Sequence, residues 1–410
     1  MSEDNLIKEF KIYGMAIDPI YIGTGVYTIG GVDNTIVRDP ITKLPKIPGS
    51  SLAGTWRYYV TLKIHEFFQN DEMRIKKSKR RDENLKDLKD LKDIFIHDSP
   101  KWVGGFEGNR YTGIGCAGQD ELPNITLEES KEKESGHCGH CIVCKGFGFS
   151  KKDISWQGMI YFSDLNILFF PVFTLLGTKW ITTEEILKNG GLYKGETDAD
   201  KEKNKGKVCV ILEEIELSKE PGKETGKETD KKEGYINLGW LYLPYKVENK
   251  PIDLSKIKDL SKINGFELNP EDIIIVPKEF FSQIVNSNLE VRTSVSIDPI
   301  TGAAKEGALF TSEAIPRGTI FSGDLRINDK LAFKGLLDKI GDLPDCNMLK
   351  GALCDSRHFF ETLGIGGMTT RGFGRLKLEI KDADKNCEDD LTQLNNVKTD
   401  SNGGEGDDSK

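Results

Sequence analysis

Residues 29–57 read IGGVDNTIVRDPITKLPKIPGSSLAGTWR. The stretch changes character half-way. Gly30, Gly31, the Asp33-Asn34 pair and Asp39-Pro40 make a turn-rich loop. From Pro48 onward, PGSSLAGTWRYYVTLKIHEFF opens with a serine in capping position and sets Leu52, Trp56, Tyr59, Val60 and Ile64 at helical spacing. Just upstream, EFKIYGMAIDPIYIG (9–23) has strand character, with Phe10, Ile12 and Met15 among tyrosines. The order is strand, loop, helix. The loop holds one acidic side chain, Asp33, between a glycine pair and the lone Arg38. An aspartate there shapes a turn or does chemistry.

The rest of the chain narrows the choice. Its 410 residues are 37% hydrophobic and 30% charged, enough for one large domain with insertions or for two to three domains. No run of about 18 apolar residues occurs, so no membrane span is expected. MSEDNLIKEFK has no signal-peptide pattern, and a cytoplasmic protein is expected. The net charge of −9 argues mildly against bulk nucleic-acid binding. However, −5 of it sits in residues 381–410, leaving the body near −4.

One domain over 1–380 is expected, with excursions. Residues 71–98 carry the basic RIKKSKRR and the LKDLKDLKD run, whose three-residue spacing drifts around a helix. Residues 105–150 hold a cysteine cluster. Residues 195–234 include the GKETGKETDKKEG tandem and read as a charged, disordered insertion, with VCVILEEIEL a local exception. The tail 381–410 reads as acidic and disordered. NILFFPVFTLLG is a buried strand with its continuation, despite Pro171. Residues 291–321 form an extended hairpin around a glycine-containing connection. DKLAFKGLLDKIG is a helix ending at Gly341, and GFGRLKLEI a final strand. Strands alternating with helices and hairpins suit an α+β, ferredoxin-like core better than a doubly wound nucleotide fold.

HCGHCIVC (137–144) is the strongest local motif. Closely spaced thiolates and imidazole suit tetrahedral zinc. His137, Cys138, Cys141 and Cys144 are the expected ligands, with His140 in place of His137, or Cys116 completing the shell from a distance, as alternatives. An iron–sulfur cluster ranks second, and thiols without metal third. Four protein ligands make the zinc structural. The glycine runs fit no nucleotide loop: GTGVYTIGG (23–31) fails G-x-G-x-x-G, as does LGIGGMTTRGFGRLKL (363–378). The second run either lets a phosphate chain approach Arg371 and Arg375 or makes a tight turn before an edge strand. Paired-histidine nuclease chemistry is disfavoured: of five histidines two are in the cysteine motif, His65 and His358 sit in expected helices, and His97 lies beside an insertion. If RNA is cut, a carboxylate is the better candidate.

Four segments together resemble a known family. IGGVDNTIVRDPITKLPKIPGSSLAGTWR, CIVCKGFG, SIDPITGAAKEGALFTSEAIPRGTIF and GIGGMTTRGFGRLKL occur in that order between residues 10 and 380. They resemble the RAMP proteins that build the backbone of type III CRISPR effector complexes, the family-seven Cas backbone group. The resemblance implies an RNA-recognition-like core with a thumb hairpin and a zinc-binding insertion. It implies copies stacked along crRNA beside other effector subunits, and thumbs that displace bases. It implies cleavage of the paired target RNA to a 2′,3′-cyclic phosphate and a 5′-hydroxyl, with Mg2+ or another divalent cation. The family's catalytic aspartate falls on Asp33. Guide-binding candidates are Lys43, Lys46, Ser50, Ser51, Arg57, Arg292, Gly366, Gly367, Arg371 and Arg375, with the helix after Pro48 offering N-terminal amides to a phosphate. The body departs from the family in not being net basic. The competing expectations are a catalytically inactive crRNA-binding subunit and a zinc-containing interaction protein without guide RNA.

Overall fold

The computed structural model describes residues 6–25, 32–69, 91–118, 136–150, 155–193, 209–211, 233–248, 250, 252–260 and 268–382. RIKKSKRR, the GKET tandem and nearly all of the tail lie outside these residues.

Fifteen strands are described: β1 (Ile7–Ala16), β2 (Lys46–Ile47), β3 (Phe149–Ser150), β4 (Ser155–Trp156), β5 (Ile160–Phe162), β6 (Leu165–Thr174), β7 (Gly177–Thr182), β8 (Cys209–Ile211), β9 (Glu233–Leu238), β10 (Leu241–Val247), β11 (Ile273–Ile275), β12 (Glu290–Ile297), β13 (Ala304–Ala314), β14 (Ile320–Asn328) and β15 (Leu376–Asp382). Four helices matter below: α1 (Gly49–Glu66), α2 (Ile142–Phe147), α3 (Lys278–Ser287) and α4 (Cys346–Ser356). Among the described residues eleven strands join one mixed sheet, whose main path runs β15-β1-β14-β6-β7-β11-β8-β10-β9. Its first four neighbours are all antiparallel. Followed along the chain, they read β1, α1, β6, β14, α4, β15.

β1 is central because its sequence is apolar on both faces. Phe10 and Ile12 join the cluster that contains Trp56, Tyr59 and Phe360. Tyr13 and Met15 join a second cluster with Leu168, Phe169, Trp180 and Ile320. α1 buries Leu52, Trp56, Tyr59, Val60 and Ile64, the stripe its spacing predicts. Its Trp56 indole donates to the Leu353 carbonyl and the Ser356 hydroxyl of α4, at 3.2 and 3.1 Å.

The start of α1 differs from expectation. No side chain caps it locally; Pro48 precedes it, and the Gly49 amide donates to Asp164 Oδ1 at 2.8 Å. A Cβ at Gly49 would stand 2.7 Å from the Phe162 carbonyl, so only glycine lets the helix approach β5 and β6. The apolar exception within 195–234 is a strand of the sheet, β8, pairing with β10 and β11. Pro171 falls beyond Phe169, the last β6 residue paired with β14, where the missing amide breaks no ladder on that side. The helix expected over 329–341 is split into a 3-10 segment, Lys330–Leu336, kinked at Phe333, and a short α-helix, Leu337–Ile340, that ends as expected at Gly341, φ +79°.

β12 and β13 form a separate hairpin. Their register runs from Glu290–Ala314 to Val295–Leu309, shifts, and resumes at Ile297–Ala304. Gly302, at φ +66°, turns the tip. Val291, Val295, Ile297, Ile300 and Leu309 are exposed along it. Among the described residues no helix is long and apolar enough to cross a membrane.

Candidate nucleic-acid interface and cysteine centre

The Asp33 loop rests on the lower part of β13. Asn34 bridges Ser312 in parallel, its amide donating to the Thr311 carbonyl at 3.0 Å and its carbonyl accepting from the Glu313 amide at 2.9 Å. Arg38 closes the seam. Its guanidinium pairs with Glu313, donates to Asn286 Oδ1 of α3 at 2.9 Å and to the Ile36 carbonyl at 3.1 Å. The lone arginine of the opening stretch is a structural tie. Asp33 itself is exposed. Hydrogen bonds from the Thr311 amide and hydroxyl hold its carboxyl below the usual carboxylate range, so it is an anion at neutral pH.

Asp39 makes the turn expected of it. Its Oδ1 accepts from the Thr42 and Ile41 amides at 2.9 and 3.0 Å, and these bonds pull its pKa down to about 2. Lys43 follows at φ +59°, exposed.

The glycine loop sits beside this surface. Gly364, Gly366, Gly372 and Gly374 all have positive φ. The Gly367 amide donates to the Tyr21 carbonyl at 3.0 Å and the Gly374 amide to the Pro19 carbonyl at 2.9 Å, so the loop is pinned to the chain leading into the Asp33 loop. Arg292 of β12 joins it from the hairpin. Its guanidinium lies 4.7 Å from the Phe373 ring centre, donates to the Gly372 carbonyl at 3.1 Å, and pairs with Glu290. The structure thus gathers Asp33, Arg292, Gly366, Gly367 and Arg371 around the base of the hairpin.

Other candidates are committed elsewhere. Lys46 binds Asp164 at 2.6 Å and Asp39 at 3.4 Å. Arg375 chelates Asp18 through Nε and a terminal nitrogen. Arg57 donates to the carbonyls of Cys116 and Gly148 and meets His137 Nδ1, each at 2.7 Å. These three cations serve internal pairs in this structure, and the first amide of α1 already holds a carboxylate. Lys43, Ser50 and Arg371 are exposed; Ser51 is half-buried beside Ser50. Sequence reasoning missed Thr311, Glu313, Asp18 and Asp164. Their partners lie far away in the chain, and no local pattern marks them.

The cysteine centre brings Cys116, one of the alternative donors, to the three motif cysteines. The four thiols of Cys116, Cys138, Cys141 and Cys144 lie within 4.8 Å of one another, all buried. His137, buried beside them, meets Arg57 through Nδ1 and also hydrogen-bonds Cys144, and His140 is exposed beside the Tyr111 ring. Gly139, at φ +79°, turns the chain so that the His140 and Cys141 amides point at Cys138 Sγ, 3.3 and 3.2 Å away. Cys138 Sγ and Cys144 Sγ stand 3.9 Å apart. Two thiolates bound to one zinc at about 2.3 Å each, tetrahedrally, stand about 3.8 Å apart. Burial pushes the Cys138 and Cys141 thiols up, while Cys116 and the neighbouring thiols hold Cys144 down. Such a cluster can hold a metal ion such as zinc.

The class this defines is a mixed α/β protein whose hairpin base presents one pre-ordered carboxylate between a glycine loop and arginines. The chain belongs to the RAMP superfamily, whose family model matches residues 15–377. It is 25% identical over 238 residues, 56% of this chain and 71% of the relative, to the CRISPR system Cmr endoribonuclease Cmr4 of Pyrococcus furiosus. A shorter match of 36 residues, 9% of this chain and 15% of the relative, is 56% identical to the CRISPR system Cms endoribonuclease Csm3 of Methanothermobacter thermautotrophicus. Among solved structures it is similar to a chain of the type III-B Cmr-beta complex in its apo state, at 14% identity, TM-score 0.49, covering 92% of this chain and 98% of that one. Oligomeric Cmr4 from Pyrococcus furiosus gives 16% identity, TM-score 0.46 and the same coverage.

Proposed function

We propose that this chain is a backbone subunit of a cytoplasmic type III CRISPR effector complex, that it holds crRNA, and that it cuts complementary target RNA with Asp33. It works beside other effector subunits and further copies of itself. The observation that carries this reading is Asp33: an exposed, ionised carboxylate, held by hydrogen bonds at the base of an apolar hairpin. Asp39 spends its bonds on closing its own turn, whereas Asp33 is held from β13, 278 residues away. Two relatives named endoribonucleases support the activity.

The parts take roles accordingly. The β1-α1-β6-β14-α4-β15 order is that of a ferredoxin-like core. β12–β13 is the thumb, its exposed Val295, Ile297 and Ile300 suited to wedging between bases. Gly366, Gly367 and Arg371 admit and neutralise a phosphate chain. Asp33 orients the target 2′-hydroxyl for attack on the adjacent phosphorus: the O2′–P bond forms as the P–O5′ bond breaks, the 2′ proton passes to water, and the departing 5′-oxygen takes a proton from water. Mg2+ or another divalent cation, held through one carboxylate and RNA phosphates, supplies charge neutralisation when bound; a single exposed carboxylate suits that mode. Cys116, Cys138, Cys141 and Cys144 hold a structural zinc, supported by the 3.9 Å sulfur separation.

The test is to purify the complex through this chain, sequence its RNA and assay cutting of a complementary RNA. Short RNAs with one repeat-derived 5′ tag, and cutting lost in Asp33→Ala with binding kept, are the expected results. Heterogeneous RNA or none would favour the interaction-protein reading, and retained cutting would remove Asp33 from catalysis.

A further inference from the structure

Two hydrogen bonds from Thr311 hold the Asp33 carboxylate at one oxygen. Oδ2 accepts from the Thr311 amide at 2.8 Å and the Thr311 hydroxyl at 3.0 Å. The same hydroxyl accepts from the Asp33 amide at 3.1 Å. The hydroxyl therefore both donates and accepts within the pair.

Thr311 is well placed to do this. It lies opposite Thr293 in the β12–β13 register, and the seam continues through Asn34–Ser312 and Arg38–Glu313. On the partner strand Arg292, opposite Ser312, ties the hairpin to Gly372 and Phe373. The Asp33 loop is thus a rider on the hairpin's return strand. Without that hold, a carboxylate beside a glycine pair samples several rotamers, and a displacement of about 1 Å costs on the order of a hundredfold in rate.

We propose that Thr311 is the positioning residue of Asp33, fixing Oδ2 with its amide and hydroxyl so that Oδ1 faces the scissile nucleotide of the target RNA. This rests on the catalytic reading of Asp33. The charged groups on the elements around the pair are Glu313 on β13, paired with Arg38; Arg292 on β12, paired with Glu290; and Arg371 on the glycine loop. None of the three hydrogen-bonds the Asp33 carboxylate among the described residues. Loss of the Thr311 hydroxyl therefore raises the pH at which Asp33 protonates, and cutting that needs the anion fades at a higher pH.

The experiment uses the assembled complex with its guide, a complementary RNA and Mg2+. In Thr311→Val, cutting at saturating target falls about tenfold or more, target affinity is unchanged, and the acid limb of the pH–rate profile moves up. Thr311→Ser, which keeps the hydroxyl, restores both. If the valine variant does not assemble, Thr311→Ala is read in its place. A wild-type rate and acid limb without the hydroxyl would overturn the proposal, as would equal losses in the valine and serine variants. Asp33→Ala, run beside them, separates the two levels. If it still cuts, the catalytic reading falls and the positioning role with it. If it is inactive while Thr311→Val is unimpaired, only the positioning role falls.

Discussion

Lys46 reads in sequence as a basic residue beside a proline step, ready for a phosphate. In the folded chain its ammonium is held by Asp164, and the other Asp164 oxygen takes the first amide of α1. Burial pushes the Asp164 carboxyl up, but the Lys46 ammonium and the Gly49 amide outweigh it and hold it low; Lys46 in turn is raised, chiefly by Asp164. A depressed carboxyl stabilises the fold above its unfolded pKa, about 4, and that stability is lost as pH falls through the folded value. A raised lysine contributes below about 10.4 and loses its share as pH rises past the folded value. The pair therefore works between roughly pH 4 and 10. Asp164→Asn is expected to lower the urea midpoint at pH 7 and to flatten its decline from pH 5 to pH 3. An unchanged acid decline would show that the pair is not part of it. Arg57 teaches the same lesson. Its charge was legible, but its acceptors on Cys116 and Gly148 lie 59 and 91 residues away, and no local pattern announces them.

Elements were legible where the pattern is local. The α1 stripe, the hairpin over 291–321 and the short apolar run that becomes β8 each carry their own periodicity or composition. Over 329–341 the α-helical end at Gly341 was legible, but not the 3-10 first half with its non-helical Phe333, because leucines and lysines suit α and 3-10 geometry alike. In sequence the glycine loop suits either a phosphate-facing role or a tight turn; in the fold its backbone turns at Gly364, Gly366, Gly372 and Gly374. Gly366 combines φ +84° with a position where a Cβ would stand 2.2 Å from the Tyr21 carbonyl. The glycine there is required by both conformation and contact. Gly366→Ala is expected to destabilise the protein by about 1–3 kcal/mol, read as a lower denaturant midpoint. Because Tyr21 leads towards Asp33, the same variant should also impair target cutting. A midpoint equal to wild type would mean that the loop relaxes freely.

At the scale of the whole molecule, the cysteine centre joins parts that sequence order separates. HCGHCIVC announced a metal, but its fourth ligand was ambiguous because Cys116 lies 22 residues before Cys138. Folding brings Cys116 to the motif, its carbonyl held by Arg57 of α1. Metal analysis is expected to find one zinc per chain. Cys116→Ser should lose it and His137→Gln keep it. The reverse pattern would restore the histidine-containing set. Removing the ion with a strong chelator should lower the melting temperature and open four thiols to a thiol reagent.

The position of β1 bears on how this chain is made. It is the earliest of the described strands, yet both its neighbours, β14 and β15, come from residues 320–382. A ribosome adding about 5–20 residues per second needs on the order of 15–60 s to deliver them. Through that interval β1 presents two unpaired edges and two apolar faces, the condition under which nascent strands find wrong partners. Successful synthesis therefore depends on what shelters the first strand until the last arrives.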